Sequence, residues 1–339
     1  MPEGRGRLVL GVVSAFAVLY LIGLFVGEEP EPVVTVAGQT ELAPTTVVPT
    51  TLPAPVAVTA TRATVSLPAA LSRIAATTDG SGAVLLAGGR NAQRASVAQV
   101  LRFEPATGAF TPTGALAEAV QKAMAVPGAS GPLVLGGIGT DKPTAAVQAL
   151  AVPKATIAGR LPEPRTDAAA AVIGSTIYVV GGFDGGREPT TVLASSDGGA
   201  TFRTVGSLLN GNRNGALVAV GESLYLIGGE ENGKQVAKVL RIDPTDGSSA
   251  QVGLLPAPVS QAAAFVLEGS VFLAGGRLGP NPTDQVLRLD LDSGTATLAG
   301  TLPEAVAHPA VAVVGDVAWL LGGEAAAPSA AVVEVRATR

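Results

Sequence analysis

Not one cysteine occurs in the 339 residues. Disulfides, thiolate nucleophiles, zinc–thiolate and iron–sulfur centres and a lipidated N-terminal cysteine are excluded together. Compartment is not, because a chain of this length buries enough apolar surface to fold without covalent staples. Histidine is almost as scarce. His308 stands alone, which rules out a histidine-rich metal centre, and no carboxylate partner for it is evident in the sequence, so an incidental or structural place is expected. No metal and no cofactor are expected. Aromatic residues make up 4% of the chain and charged residues 14%. Packing must therefore come from Ala, Gly and Val, which suits thin, closely stacked strands better than long amphipathic helices. The net charge of -5 is mild and no Lys/Arg block is present, so nucleic acid is not an expected partner. Also missing are a G-x-S-x-G elbow, a P-loop, a G-x-G-x-x-G unit and an H-E-x-x-H pair.

What is present begins with an uncharged run, LVLGVVSAFAVLYLIGLFVG, from Leu8 to Gly27. At ~1.5 Å per residue such a helix spans roughly 30 Å, the thickness of a bilayer's hydrocarbon core. Arg5 and Arg7 precede it, and Glu28, Glu29 and Glu31 follow. Residues 1–7 are then expected in the cytoplasm and everything after the helix outside. A cleaved signal peptide is the rival; its apolar region should be shorter and end in a small-x-small site, whereas Phe25-Val26-Gly27 runs directly into acidic residues. Residues 28–57 are rich in proline and threonine and keep no period, so they read as an extended extracytoplasmic linker. Residues 58–339 form the remaining domain. The Arg-rich, Lys-poor composition suggests a bacterial cell surface as the location.

That domain repeats itself. A glycine pair ends a short apolar run six times: Gly88-Gly89, Gly136-Gly137, Gly181-Gly182, Gly228-Gly229, Gly275-Gly276 and Gly322-Gly323. The first glycines are separated by 48, 45, 47, 47 and 47 residues. Each unit reads as four short strands joined by turn residues, which describes one blade of a propeller. In the third unit these are AAAAVI, a Gly174-Ser175 turn, Thr176–Val180, TTVLASS, the turn SDGG and ATFRTVGSL. The sixth unit lacks a fourth strand, while ATRATVSLP (Ala60–Pro68) looks like the fourth strands elsewhere; residues 60–68 are expected to pair beside Val332–Val335 and close the ring. Three residues before each glycine pair stand Leu85, Leu133, Tyr178, Tyr225, Phe272 and Trp319, a column expected to pack between blades rather than to stack on a ligand.

The pattern, best kept in PRTDAAAAVIGSTIYVVGGFDGG, resembles the kelch repeat, whose mark is a double glycine after an apolar strand. The fold class this implies is all-β, a six-bladed kelch-like β-propeller. The tryptophan that family carries near the fourth strand is replaced by Phe110 or Phe202 at best. The resemblance to kelch-type galactose oxidase stops at the fold, because that family's copper needs two histidines and a cysteine-linked tyrosine. Ser195 to Phe202 (SSDGGATF) looks like the aspartate box of sialidase propellers, there a turn between the third and fourth strands; it reads as structural here.

Loops entering each first strand and loops after each glycine pair should share one face, the default binding surface. Fourteen and fifteen residues upstream of the pairs lie Arg73, Gln121, Lys122, Thr166, Asp167, Arg213, Asn214, Ser260, Gln261 and His308. These are expected at the channel mouth. After the pairs come Arg90, Phe183, Asp184, Glu230, Arg277 and Glu324. Cations gathered near an axis would suit a carboxylate or an acidic sugar. The expected function is a non-catalytic binding or scaffold module, membrane-anchored and presenting this face to a protein or a cell-envelope glycan. The alternative is a sugar-modifying enzyme resembling the kelch-fold sialic-acid mutarotases, with Arg73, Arg213, Glu230 and Arg277 as candidates.

Overall fold

The structure is a computed structural model and describes residues 57–338. The expected membrane helix, Leu8–Gly27, and the linker up to residue 56 lie outside the described residues. Among the described residues no helix is long and apolar enough to cross a membrane.

Among the described residues there are six four-stranded antiparallel sheets, with two short two-stranded ribbons, Glu230–Glu231 with Lys234–Gln235 and Arg277–Leu278 with Asn281–Pro282, in the loops after the glycine pairs of two of them. Blade 1 occupies residues 75–120, blade 2 124–160, blade 3 169–207, blade 4 216–254 and blade 5 263–301. Blade 6 combines Ala310–Val314, Val317–Leu321 and Val332–Thr338 with the N-terminal strand Ala57–Arg62. The first strands of successive blades touch one another all the way round, blade 6 against blade 1 included, so the ring is closed. These inner strands are alanine-rich, as Ala169-Ala170-Ala171 illustrates, because larger side chains would not fit where the blades converge.

Second strands are sandwiched between neighbouring blades on both faces. They therefore read as unbroken apolar runs rather than alternating ones; Ser270–Ala274 and Val317–Leu321 are buried at every position. The core is accordingly a set of layers between blades. Val84, Leu86, Leu101 and Phe103 of blade 1 pack with Ala310, Ala312, Val317 and Trp319 of blade 6, and Trp319 sets its edge on Phe103 at 5.1 Å between centroids. Tyr178 packs with Leu224 and Leu226 of blade 4, and Phe272 with Val333 and Val335 of blade 6, so the aromatic column lies between blades.

The role of the glycine pairs becomes visible only with a neighbouring blade in place. The second glycine of every pair donates its N–H to the carbonyl four residues before the first strand of the next blade. Gly89 reaches Val120, Gly137 Arg165, Gly182 Asn212, Gly229 Val259, Gly276 Val306 and Gly323 Leu71, at 2.7–3.1 Å. Six bonds stitch six interfaces. The first glycine of the pair faces the same carbonyl oxygen, and a Cβ there would stand closer to it than real Cβ atoms come. Both glycines also have positive φ (Gly181 at 67°, Gly182 at 100°), a region that side chains resist.

A second glycine series lies at the same period in the fourth strands: Gly114, Gly159, Gly206, Gly253 and Gly300. Each sits beside a bulge, opposite Val100, Val147, Val192, Val239 and Val286 respectively. The bulge bends the outer strand and the missing Cβ lets the next blade come down on it. Gly206 meets Asp246 and Gly247, for example, and Gly300 meets Val58.

The closing strand differs from its expected position. Ala57–Arg62 pairs with Val333–Thr338 in unbroken register, Ala57 opposite Thr338 and Arg62 opposite Val333; the expected pairing beside Val332–Val335 is made by Ala60, Thr61 and Arg62, while residues 63–68 lie beyond the strand. After Arg62 the chain leaves the ladder because it must cross to blade 1. Ala63 N–H still bonds the Val332 carbonyl, Leu67 bonds Ala330, and Val65 comes to rest where a Cβ on Gly108 of blade 1 would stand.

Candidate functional site

Six non-glycine residues, one per blade, adopt the left-handed conformation at the axis: Arg73 (φ 58°), Lys122 (56°), Asp167 (54°), Asn214 (57°), Gln261 (61°) and His308 (50°). Such residues are uncommon singly, and each holds strain of order 1 kcal/mol or more. The surrounding hydrogen bonds impose it. Lys122 N–H bonds the Arg73 carbonyl (3.0 Å), and the chain continues through Asp167 to Lys122 (3.2 Å), Asn214 to Asp167, Gln261 to Asn214 and His308 to Gln261 (2.8 Å each). The residue before each is held by the residue after a glycine pair; Thr166 and Phe183 exchange both backbone bonds, at 3.0 and 2.8 Å. With backbone groups committed along these five steps from Arg73 to His308, the six side chains line the channel mouth.

They border a cavity of about 130 Å³, with Ile74, Ala123, Ala168, Gly215, Ala262 and Pro309 as a second, mostly apolar ring. At ~30 Å³ per water this holds about four waters or one small polar group. Lys122 Nζ pairs with Asp167 Oδ2 at 2.8 Å. Asp167 Oδ1 and His308 Nε2 are buried with no hydrogen-bond partner. Burial, joined by the charges of Arg73 and Lys122, pushes His308 well below its ordinary 6.5, with Glu324 opposing; its imidazole is neutral at neutral pH.

Glu324 is the hub of the rim. Its carboxylate takes Arg73 Nη2 at 2.8 Å and Arg90 Nη2 at 2.6 Å, with Arg277 Nη2 at 3.8 Å. Burial alone would raise it, but the hydrogen bond and charge of Arg73, with His308 and Arg90, override that and hold the carboxyl at about 2. Because that value is depressed, the stability it supplies is fully present above its unfolded value near 4.5 and is lost as pH falls through about 2. Glu324→Gln should therefore flatten the acid limb of the melting-temperature profile between pH 4.5 and 2, and should cost about 3 kcal/mol at pH 7 by leaving the arginines unopposed. Parallel pH profiles for the two proteins would contradict this assignment.

Of the residues expected at the mouth, Arg73, Lys122, Asp167, Asn214, Gln261 and His308 converge there. Arg90 and Arg277 join through Glu324, and Arg277 Nε also donates to Gln261 Oε1 at 2.9 Å. The rest do not line the cavity. Gln121, Thr166, Arg213 and Ser260 sit one residue earlier and pair with the strand beyond the glycines, so their side chains are directed elsewhere. Arg213 forms a separate group with Glu230 (3.1 Å), Glu188 (3.3 Å) and the ring of Phe183 (5.5 Å). Asp184 is occupied within its own loop by Gly186, Arg187 N–H and the Arg187 guanidinium. Glu188 and the fully buried Arg165, which donates to the Gly181 carbonyl and pairs with Glu163, carry no sequence signal that would have singled them out.

A family model described as the kelch motif matches residues 164–194, the entry loop and first three strands of blade 3. No curated protein matches the sequence significantly. The fold is similar to a solved structure titled "Structure of YjhT", with a TM-score of 0.70 over 81% of this chain and 99% of that one, at 15% identity; at that identity the likeness is one of fold.

Proposed function

We propose that this kelch-repeat β-propeller is a membrane-anchored, extracytoplasmic binding module that receives a carboxylate-bearing group, on a protein or a cell-envelope glycan, at its axial mouth. The observation that carries the reading is the local charge. Arg73, Arg90, Lys122 and Arg277 gather against only Glu324 and Asp167, in a chain whose net charge is -5. Fixed guanidinium groups recognise carboxylates with two parallel bonds, and Glu324 serves to hold them in place. The long Pro/Thr-rich linker would carry the module away from the membrane surface.

The sugar-modifying alternative is favoured by one feature, the neutral His308 facing a polar cavity, where it would act as a base. Glu324, held at about 2, is poorly matched to proton transfer near neutral pH.

Binding of D-glucuronate to the full-length protein separates the readings. Arg73→Ala should weaken it at least tenfold, Arg213→Ala should leave it unchanged, and D-glucose should not compete. Binding that ignores the carboxylate, or that is lost equally in both variants, would overturn the proposal. Faster anomeric exchange of bound glucuronate, lost in His308→Ala, would favour the enzyme.

A further inference from the structure

The face carrying the tight turns, opposite the axial mouth, holds a second cavity between blades 1 and 2. It measures about 220 Å³ and is lined by Asp79, Leu85, Val100, Arg102 and Thr113 of blade 1 with Leu150, Ala151 and Val152 of blade 2. Its origin lies in two departures from the repeat that meet at one interface. Leu85 occupies the position where blades 3 to 6 place Tyr178, Tyr225, Phe272 and Trp319, rings that pack against the following blade. Opposite it, the turn between the third and fourth strands of blade 2 reads Leu150-Ala151-Val152-Pro153-Lys154 in place of the Asp- and Gly-containing turns at Asp197, Asp243 and Asp290. The interface therefore lacks the ring that four other interfaces contain.

We propose that this cavity is a binding site for a single aromatic ring with a polar edge, of phenol or indole size. The propeller's own repeats are the template: the same strand position holds a phenol in two blades, a phenyl in one and an indole in another. The volume agrees, since a cavity of ~150 Å³ accepts benzene whereas drug-sized ligands need roughly 300 Å³ or more. The walls are apolar on the Leu85, Val100 and Leu150 side. A polar handle stands on the other: Arg102 Nε bonds Asp79 Oδ2 at 3.0 Å and its Nη2 bonds Ser81 Oγ at 3.0 Å. That anchoring holds a guanidinium at the cavity for stacking on a ring. Val152, 77% exposed, stands at the lip, an apolar side chain that a bound ring would cover.

The test is fluorine NMR titration of full-length protein in lipid nanodiscs with 5-fluoroindole and 4-fluorophenol. Saturable binding is expected with wild-type protein, and at least tenfold weaker binding with Leu85→Trp, which supplies the missing ring from within. Subtracting the variant in identical discs removes partitioning into lipid. If Leu85→Trp does not melt cooperatively, Leu85→Phe carries the comparison. Competition by N-acetyltryptophanamide as well as by indole would identify the occupant as an aromatic side chain of a bound polypeptide; competition by indole alone would identify a free small aromatic. Absence of saturable binding, or binding undiminished in the filled variants, would overturn the proposal. Glucuronate binding at the opposite face should be untouched by either variant.

Discussion

Gly181→Ala is expected to remove about 4 kcal/mol or more of stability and to broaden or abolish the propeller's cooperative melt. Two penalties combine at that position. The residue has φ 67°, and the added Cβ would be driven into the Asn212 carbonyl oxygen of blade 4. Neither backbone can yield cheaply, since the Asn212 carbonyl already accepts the Gly182 N–H at 2.7 Å and its neighbour Arg213 is bonded across to Glu230. Gly174→Ala supplies the control. It has a similar φ, 59°, but nothing within 4 Å of the new Cβ, so its cost should stay near ~1 kcal/mol, the conformational part alone. Thermal and denaturant melts of the two variants separate the carbonyl contact from the backbone preference. Equal losses would mean that the glycine pairs are retained for φ alone and not for blade-to-blade approach.

Removing the strand Ala57–Arg62 should lower the melting temperature by on the order of 10 °C or more. That strand is the outer edge of blade 6 and covers part of the layer in which Val58 packs with Phe272, Ala318, Val333 and Val335. Without it Val332–Thr338 becomes a free edge and Gly300 loses its neighbour Val58. Hydrogen exchange localises the effect: amides of Val333 to Thr338 should lose protection first, with blade 3 the last to follow. An unchanged melt, with that segment still protected, would show that blade 6 stands without its N-terminal strand.

The architecture was legible because its signal is periodic. A glycine pair after an apolar run, returning every 45 to 48 residues, needs no structure to be noticed. The outer-strand glycines return as regularly, from Gly114 to Gly300, but no constant apolar run flags them, and their purpose lies in the following blade. The axial residues show the opposite case. Arg73, Lys122, Asp167, Asn214, Gln261 and His308 share a conformation and no chemistry, so no consensus exists to read, and the offset from the glycine pair places them only to within one residue. That one residue decides between the channel and the strand pairing, and the spacing alone puts Arg213 with Arg73. Glu324 was visible as a polar residue after the last glycine pair; its place as the common partner of arginines from blades 1 and 5 depends on ring closure, which brings residues 251 positions apart within 2.8 Å.

The same closure sets a timetable for the growing chain. Val58 pairs with Ala337, so this strand has no partner until the chain has been made as far as Ala337. At 5–20 residues per second the wait is roughly 15–55 s, during which the nascent chain carries an unmatched strand that another molecule's edge can claim. The composition of that strand suits such an interval: AVTATR has small and threonine side chains, one arginine and no bulky apolar residue. What closes the ring late must first remain inoffensive while the six blades are made.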